Sequence, residues 1–404
     1  MLVGRKRSLD TLRAQRALSV FLLIAFFILA FNSNIFGQIS TAGETDQGQL
    51  HGGIEIDSEG IKAAVIRVSD IAQGSGAEVI YTEVFNTALT RNQNGKVTSE
   101  AIKAAGQAIL RFYTRMRQQH QVPPRQIHII GSSDLGADNL GELAKEVRSG
   151  TGVSMTFLSL ESESQLSVIG TIPRRYREGT TWFDNRSQSI VIDIGSNKTK
   201  GGYQQLRQPL LGDPYYDFVA VEIPRGTVSF TNEINRAVGE DAGINKFAAG
   251  ARALSESSIK TPLRDELKKQ PGLVYRKKIY LNGAIVRAMM TLLRPEDRQS
   301  FLPLTVDDIN IFYQRAIYSP QVLLNPSLSR IRNDEVRKEV ERELEVVRSA
   351  FTPKSLIAGA EILKAVASEY NFQEEGKKIL YVRFSNMSSI LSYLLLRAGE
   401  GPQP

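Results

Sequence analysis

The stretch that decides the fold is Ser189-Ile190-Val191-Ile192-Asp193-Ile194-Gly195-Ser196-Asn197-Lys198-Thr199-Lys200-Gly201-Gly202-Tyr203. The apolar run Ile190-Val191-Ile192 reads as a buried β-strand that ends in Asp193. Gly195 makes the bend, and Ser196, Asn197, Lys198 and Thr199 crowd it. A turn of this kind can point several backbone N–H groups at one anion, while its Asp can hold a hydrated Mg²⁺ beside a phosphate. The same residues also suit a plain hairpin with no ligand, because Asp and Gly favour turns for backbone reasons alone. A second, poorer copy, Gly52-Gly53-Ile54-Glu55-Ile56-Asp57-Ser58-Glu59-Gly60-Ile61-Lys62, stands about 140 residues earlier. Two such strand–turn–strand units imply two similar domains facing one cleft.

Around the first copy, Ile54–Ile56, Ile61–Val68 and Glu78–Phe85 read as three antiparallel strands. A helix follows with Ser99 as N-cap and Ile102, Ala105, Ile109, Phe112 and Met116 on one apolar face. Pro123-Pro124 ends it, Ile127–Ile130 is a short strand, Leu140–Val147 a helix and Ser154–Leu158 a strand. The acidic segment 160–170 comes next. The order β-β-β-α-β-α-β is that of an actin-like, ribonuclease-H-type domain. The second half restarts with Ile190–Ile194, Gly201–Gln205 and Phe218–Ile223, then helices over 228–238, 244–255 and 279–293 and a long charged helix over 334–348. The fold class expected is therefore α/β, with two actin-like domains around a cleft. Its boundaries are 1–37 for a signal peptide or anchor, 38–50 for a polar linker, 51–170 for the first domain, 171–187 for a basic connector and 188–404 for the second.

A composition of 42% hydrophobic and 23% charged residues is that of a globular chain. The absence of cysteine excludes thiol catalysis, thiolate metal sites and disulfides. Three histidines, His51, His120 and His128, are too few and too scattered for a histidine metal centre. Of the formal net charge of +7, residues 1–37 hold +4 (Arg5, Lys6, Arg7, Arg13 and Arg16 against Asp10), leaving +3 elsewhere. That is no nucleic-acid footprint. After the basic residues, Ala17 to Phe31 has Ser19 as its one polar residue. A basic stretch followed by an apolar run of this length reads as a secretory signal. It is short of the roughly 20 residues of a full span, although Ile35 and Phe36 could lengthen it. The expectation is export, with cleavage after Gly37 or Ala42 or with the segment kept as an anchor, and the bulk of the protein periplasmic or otherwise outside the cytoplasm.

Six segments, in order, carry a family resemblance. Val97-Thr98-Ser99-Glu100-Ala101-Ile102 is similar to "L-S-x-E-A-I", Ile130-Gly131-Ser132-Ser133-Asp134-Leu135 to "T-S-A-L-R", and Glu163-Ser164-Gln165-Leu166-Ser167-Val168-Ile169-Gly170 to "E-A-R-L-x-x-x-G". Residues 193–200 are similar to "D-I-G-G-G-S-T-E", Glu222-Ile223-Pro224-Arg225-Gly226-Thr227-Val228 to "S-L-P-L-G-x-V", and Ile357 to Leu363 to "L-A-G-A-x-I-L". Over residues 51–395 the chain resembles the exopolyphosphatase / guanosine pentaphosphate phosphohydrolase family in its short form. The resemblance implies a phosphate chain held in the cleft, a Glu that orients the attacking water and Mg²⁺ at the terminal phosphoryl group. Carried over by position, Glu163 is the water-activating base and Asp193 the metal ligand. Ser132, Ser133, Gly195, Ser196, Asn197, Lys198 and Thr199 would contact phosphate.

The chain also departs from that pattern. Lys198-Thr199-Lys200 stands where the family has "S-T-E", so the second acid is Lys200, which at a usual pKa of about 10.4 is no base. Gly136 replaces the phosphate-gripping arginine, and Glu55-Ile56-Asp57 replaces "D-x-G", adding a Cβ and a negative charge where an anion should approach. Glu163 has a second reading as an exposed helix N-terminal carboxylate complementing the dipole. The basic stretch 173–178 reads as a solvated connector or as a polyanion-docking lip.

The functional readings are three. One is a phosphoanhydride hydrolase of the exopolyphosphatase type, with Mg²⁺ if active. The second is a non-catalytic exported binding or scaffold protein on the same fold. The third is an actin-like nucleotide-binding assembly factor. Partners expected are polyphosphate or another phosphate-chain anion, the membrane through an uncleaved N-terminal segment, and a second copy in a homodimer.

Overall fold

A computed structural model describes residues 48–57, 60–69, 77–85, 97–135, 140–172, 175–178, 181–184, 186–207, 215–383 and 385–399. The signal or anchor segment, nearly all of the linker, Gly136 and the start of the basic stretch (173–174) lie outside the described residues. Among the described residues, no helix is long and apolar enough to cross a membrane.

Strand β1 (Gln49–Ile56) is buried along nearly its whole length, because it runs down the middle of a sheet. It pairs antiparallel with β2 (Ile61–Val68), which pairs with β3 (Ala77–Phe85), and parallel with β4 (Ile127–Gly131), which pairs with β5 (Met155–Phe157). The spatial order is β3-β2-β1-β4-β5. Helix α1 (Ser99–Gln118) covers one face with Ile102, Ala105, Ile109, Phe112 and Met116, the apolar stripe expected from their spacing. Its N-cap is Thr98 rather than Ser99: the Thr98 hydroxyl accepts the N–H of Ala101 at 3.2 Å. Helix α2 (Leu140–Thr151) joins α1 on that face through Leu143 and Val147, and α3 (Leu160–Thr171) leads out of the sheet.

After a hairpin of β6 (Arg175–Glu178) and β7 (Thr181–Asp184), the pattern repeats. Strands β8 (Ser189–Ile194), β9 (Thr199–Arg207) and β10 (Tyr215–Ile223) form the antiparallel meander. On the other side β8 pairs parallel with β11 (Lys278–Asn282), and β11 with β13 (Lys378–Val382), which carries β12 (Phe301–Leu304) at its edge. The order β10-β9-β8-β11-β13-β12 repeats that of the first sheet and adds one strand. Helices α4 (Thr227–Val238), α5 (Ile244–Ser255), α6 (Ala284–Leu293), α7 (Val306–Tyr318), α8 (Asp334–Ala350) and α9 (Pro353–Glu369) build the largest core on this sheet. The final helix, α10 (Ser388–Gly399), follows β13 in the chain but packs Ile390, Tyr393 and Leu394 against Ala64, Ile66 and Ile130 of the first sheet.

One element differs from expectation. The single helix read over 279–293 is a strand followed by a helix, β11 and α6. Both parts are apolar on their buried sides, so periodicity alone merged them. Gly283 separates them at φ +108°, where a Cβ would lie 2.2 Å from the Ile194 carbonyl oxygen. Only glycine permits that close crossing of two backbones.

Candidate functional site

Parallel strands end together, so residues just beyond β1, β4, β8 and β11 converge at one edge of their sheets, the usual place for a ligand in open α/β sheets. A cavity of about 60 Å³ lies there, lined by Glu55, Asp57, Lys62, Ser132 and Glu163 from the first half and Asp193, Gly195, Lys200, Arg287 and Arg383 from the second. It has room for a few water-sized species.

Glu163 is at its centre. Ser159 caps α3 by accepting the N–H of Ser162 at 3.1 Å, which sets Glu163 in the first helical turn. Its side chain is not exposed but buried, at 4% of its free surface. Oε1 accepts from Ser132 Oγ at 2.8 Å and from Lys200 Nζ at 2.6 Å. Oε2 accepts from the Ser133 N–H at 2.8 Å and Ser133 Oγ at 2.6 Å. Burial alone would push this carboxyl up; the Lys200 ammonium and the hydrogen bonds from Lys200, Ser133 and Ser132 outweigh it and bring the pKa down to about 2. A carboxylate held so far below neutrality and with both oxygens doubly occupied is a weak proton acceptor. Ser132 and Ser133 spend their hydroxyl protons on it.

The residues of the β8–β9 turn are also engaged within the protein. The Gly195 N–H donates to the Lys198 carbonyl at 3.0 Å, and the Thr199 hydroxyl to the Arg225 carbonyl at 2.9 Å. Lys198 Nζ lies 3.0 Å from Glu222 Oε1. The turn's carbonyls face the start of α4: Gly195 O accepts from Thr227 N, and Ser196 O from Val228 N and Ser229 N at 2.7 and 3.1 Å. Asn197 O accepts the Ser229 hydroxyl at 2.8 Å. The N–H groups of a helix start, which elsewhere hold anions, are thus filled by the turn itself. Gly226 permits this, since a Cβ there would meet Gly195 O at 2.3 Å.

Asp193 faces Lys200 across β8 and β9, and burial raises its pKa. As the expected Mg²⁺ ligand it stands beside the Lys200 ammonium, and among the described residues no three His, Cys, Asp or Glu side chains are placed to hold a metal ion. The residues present do not fit Mg²⁺.

No family model matches the chain, and no curated protein sequence does. Solved structures do. An exopolyphosphatase from Cytophaga hutchinsonii superposes with a TM-score of 0.58 at 13% identity, over 86% of this chain and 98% of that one. The Aquifex aeolicus Ppx/GppA family member gives 0.55 at 14%, over 88% and 99%. An exopolyphosphatase-like protein gives 0.57 at 16%, over 82% and 94%. The fold is that of the Ppx/GppA exopolyphosphatases.

On that Ppx/GppA-type fold, several charged residues line the cavity that were not among the expected site residues. Glu55 is 2% exposed, its Oε2 has no hydrogen-bond partner among the described residues, and burial raises its pKa to about 7. Lys62 Nζ lies 2.5 Å from Asp57 Oδ2, while Asp57 Oδ1 accepts the Gly60 N–H at 2.8 Å. Arg383 is held by Glu343 at 3.3 Å and by the Asp297 carbonyl. Arg287, in the first turn of α6, has no side-chain partner among the described residues. Its signal was Gly283: once that residue ends β11, Arg287 falls at a strand's carboxyl end.

Proposed function

We propose that this chain is a non-catalytic binding protein on the exopolyphosphatase fold. Its two actin-like domains, 51–170, on which the final helix α10 packs, and 188–404, face each other across the cavity, where Lys200 of the second ties to Glu163 of the first. The observation that carries this reading is Glu163, whose four acceptor positions are filled by protein donors. Neither a water to be activated nor a metal has a lone pair to use. The test is phosphate release from polyphosphate with Mg²⁺. The expected result is background release, unchanged in Glu163→Gln. Robust Mg²⁺-dependent release that Glu163→Gln abolishes would overturn the reading.

A phosphate-chain anion is the proposed ligand, held weakly, and Arg287 supports it as the lining cation with no partner among the described residues. We also propose that the basic–apolar segment 1–37 delivers the folded part across a membrane. Alkaline phosphatase, active only after export, should be active when fused behind Gly60; inactive fusions at normal expression would refute this.

A further inference from the structure

Two lysines stand among the carboxylates of the cavity, and both come from the same register. Glu55 faces Lys62 across β1 and β2, as Asp193 faces Lys200 across β8 and β9. Lys62 pairs with Asp57 at 2.5 Å, each side chain 13% exposed, and Lys200 with Glu163 at 2.6 Å, almost wholly buried. Glu55, Asp57, Glu163 and Asp193 all line this one small space. Carboxylates crowded in this way repel unless positive charge lies between them. A divalent cation would supply two charges, and two ammonium groups supply the same two. The Lys200 ammonium already occupies Glu163 Oε1 at 2.6 Å, so a divalent cation seeking that oxygen at the roughly 2.0–2.1 Å typical of Mg²⁺ would have to displace it.

We propose that the cavity is a metal-independent site in which Lys62 and Lys200 take the place of a divalent cation. This goes beyond the reading of the chain as non-catalytic: it concerns the cation and holds whether or not any phosphate is released. Both lysines emerge from strands in the same direction as the carboxylates they face, so the charge balance is built into two hairpins rather than recruited from solution. An anion entering the cavity would then meet Arg287 and the two ammonium groups without a bridging metal.

The test uses the full chain and reads cation binding directly. Mn²⁺ titrated into the wild-type protein and followed by its electron paramagnetic resonance signal should remain free. The melting temperature should be the same in Mg²⁺ and in EDTA. Lys200→Met uncovers Glu163 and Asp193, so Mg²⁺ should raise its melting temperature by several degrees through binding to the folded state alone. Stoichiometric Mn²⁺ binding by the wild type would overturn the proposal, and so would a folded Lys200→Met protein indifferent to Mg²⁺. If Lys200→Met does not fold, the wild-type Mn²⁺ titration still decides, and Lys62→Met supplies the second variant with the same expected response. Failure here is distinct from failure of the proposed function. Phosphate release that persists in EDTA refutes the non-catalytic reading and leaves this one standing, whereas Mn²⁺ binding without phosphate release does the reverse.

Discussion

The β1–β2 and β8–β9 hairpins are two versions of one device. In Glu55-Ile56-Asp57-Ser58-Glu59-Gly60-Ile61-Lys62 and Asp193-Ile194-Gly195-Ser196-Asn197-Lys198-Thr199-Lys200, a carboxylate ends the first strand and faces a lysine in the second. They differ at the third residue. Asp57 gives Lys62 an ion-pair partner within its own turn. Gly195 offers no side chain, and Lys200 reaches out of its hairpin to Glu163 on α3. The β8–β9 turn also lies against α4, an approach that Gly226 permits, since a Cβ there would meet the Gly195 carbonyl oxygen at 2.3 Å. One residue type thus decides whether a lysine serves its own turn or joins two parts of the chain.

The largest expected effect comes from removing the crossing lysine. Lys200→Met leaves Glu163 charged and buried without its cation and should cost about 3–5 kcal/mol of stability. Combined with Glu163→Gln, most of that loss should return, because no buried charge is stranded. Lys62→Met, whose partner Asp57 is in the same turn and somewhat less buried than Glu163, should cost less. Denaturant unfolding of the three proteins measures this, and equal costs for the two lysines would remove the distinction drawn between the hairpins.

Titration gives the next effect. Glu163 has its pKa lowered from the usual 4.5 to about 2, so its contribution is present above pH 4.5 and lost as pH falls toward 2. Glu55 behaves oppositely: its pKa is raised from 4.5 to about 7, so the folded state holds a proton that the unfolded state has released. Stability should therefore fall between pH 4.5 and 7 on account of Glu55 and stay lowered above. Glu55→Gln should flatten that slope and leave the protein more stable than the wild type above pH 7. A variant with the wild-type pH profile would show that Glu55 is not the group responsible.

Packing at the second turn comes third. Gly226→Ala places a methyl against the Gly195 carbonyl and should cost about 1–3 kcal/mol, read as a lower denaturation midpoint with an unchanged slope. The smallest effect concerns ligand contact. Arg287→Ala should weaken binding of a short polyphosphate by severalfold in calorimetry, whereas Lys198→Ala, whose ammonium is held by Glu222, should change it little. The reverse ranking would return the anion to the β8–β9 turn.

Sequence by itself determined the repeated strand–turn–strand pattern, the apolar face of α1 and the α/β class, because strand alternation, helical spacing and turn glycines act over a few residues. It also determined that the second acidic position carries Lys200 rather than a carboxylate. It merged β11 with α6, because an apolar strand and an apolar helix in tandem have no internal boundary except Gly283, whose positive φ is visible only where the chain passes Ile194. The tertiary structure alone decided what the polar residues do. Ser132, Ser133, Glu163 and Lys200 come from three separate segments, and nothing in their local sequence says that the serines and the lysine will satisfy the carboxylate. A buried charge must find its hydrogen-bond donors wherever the fold brings them, and that choice is made by the packing of whole elements rather than by neighbours in the chain.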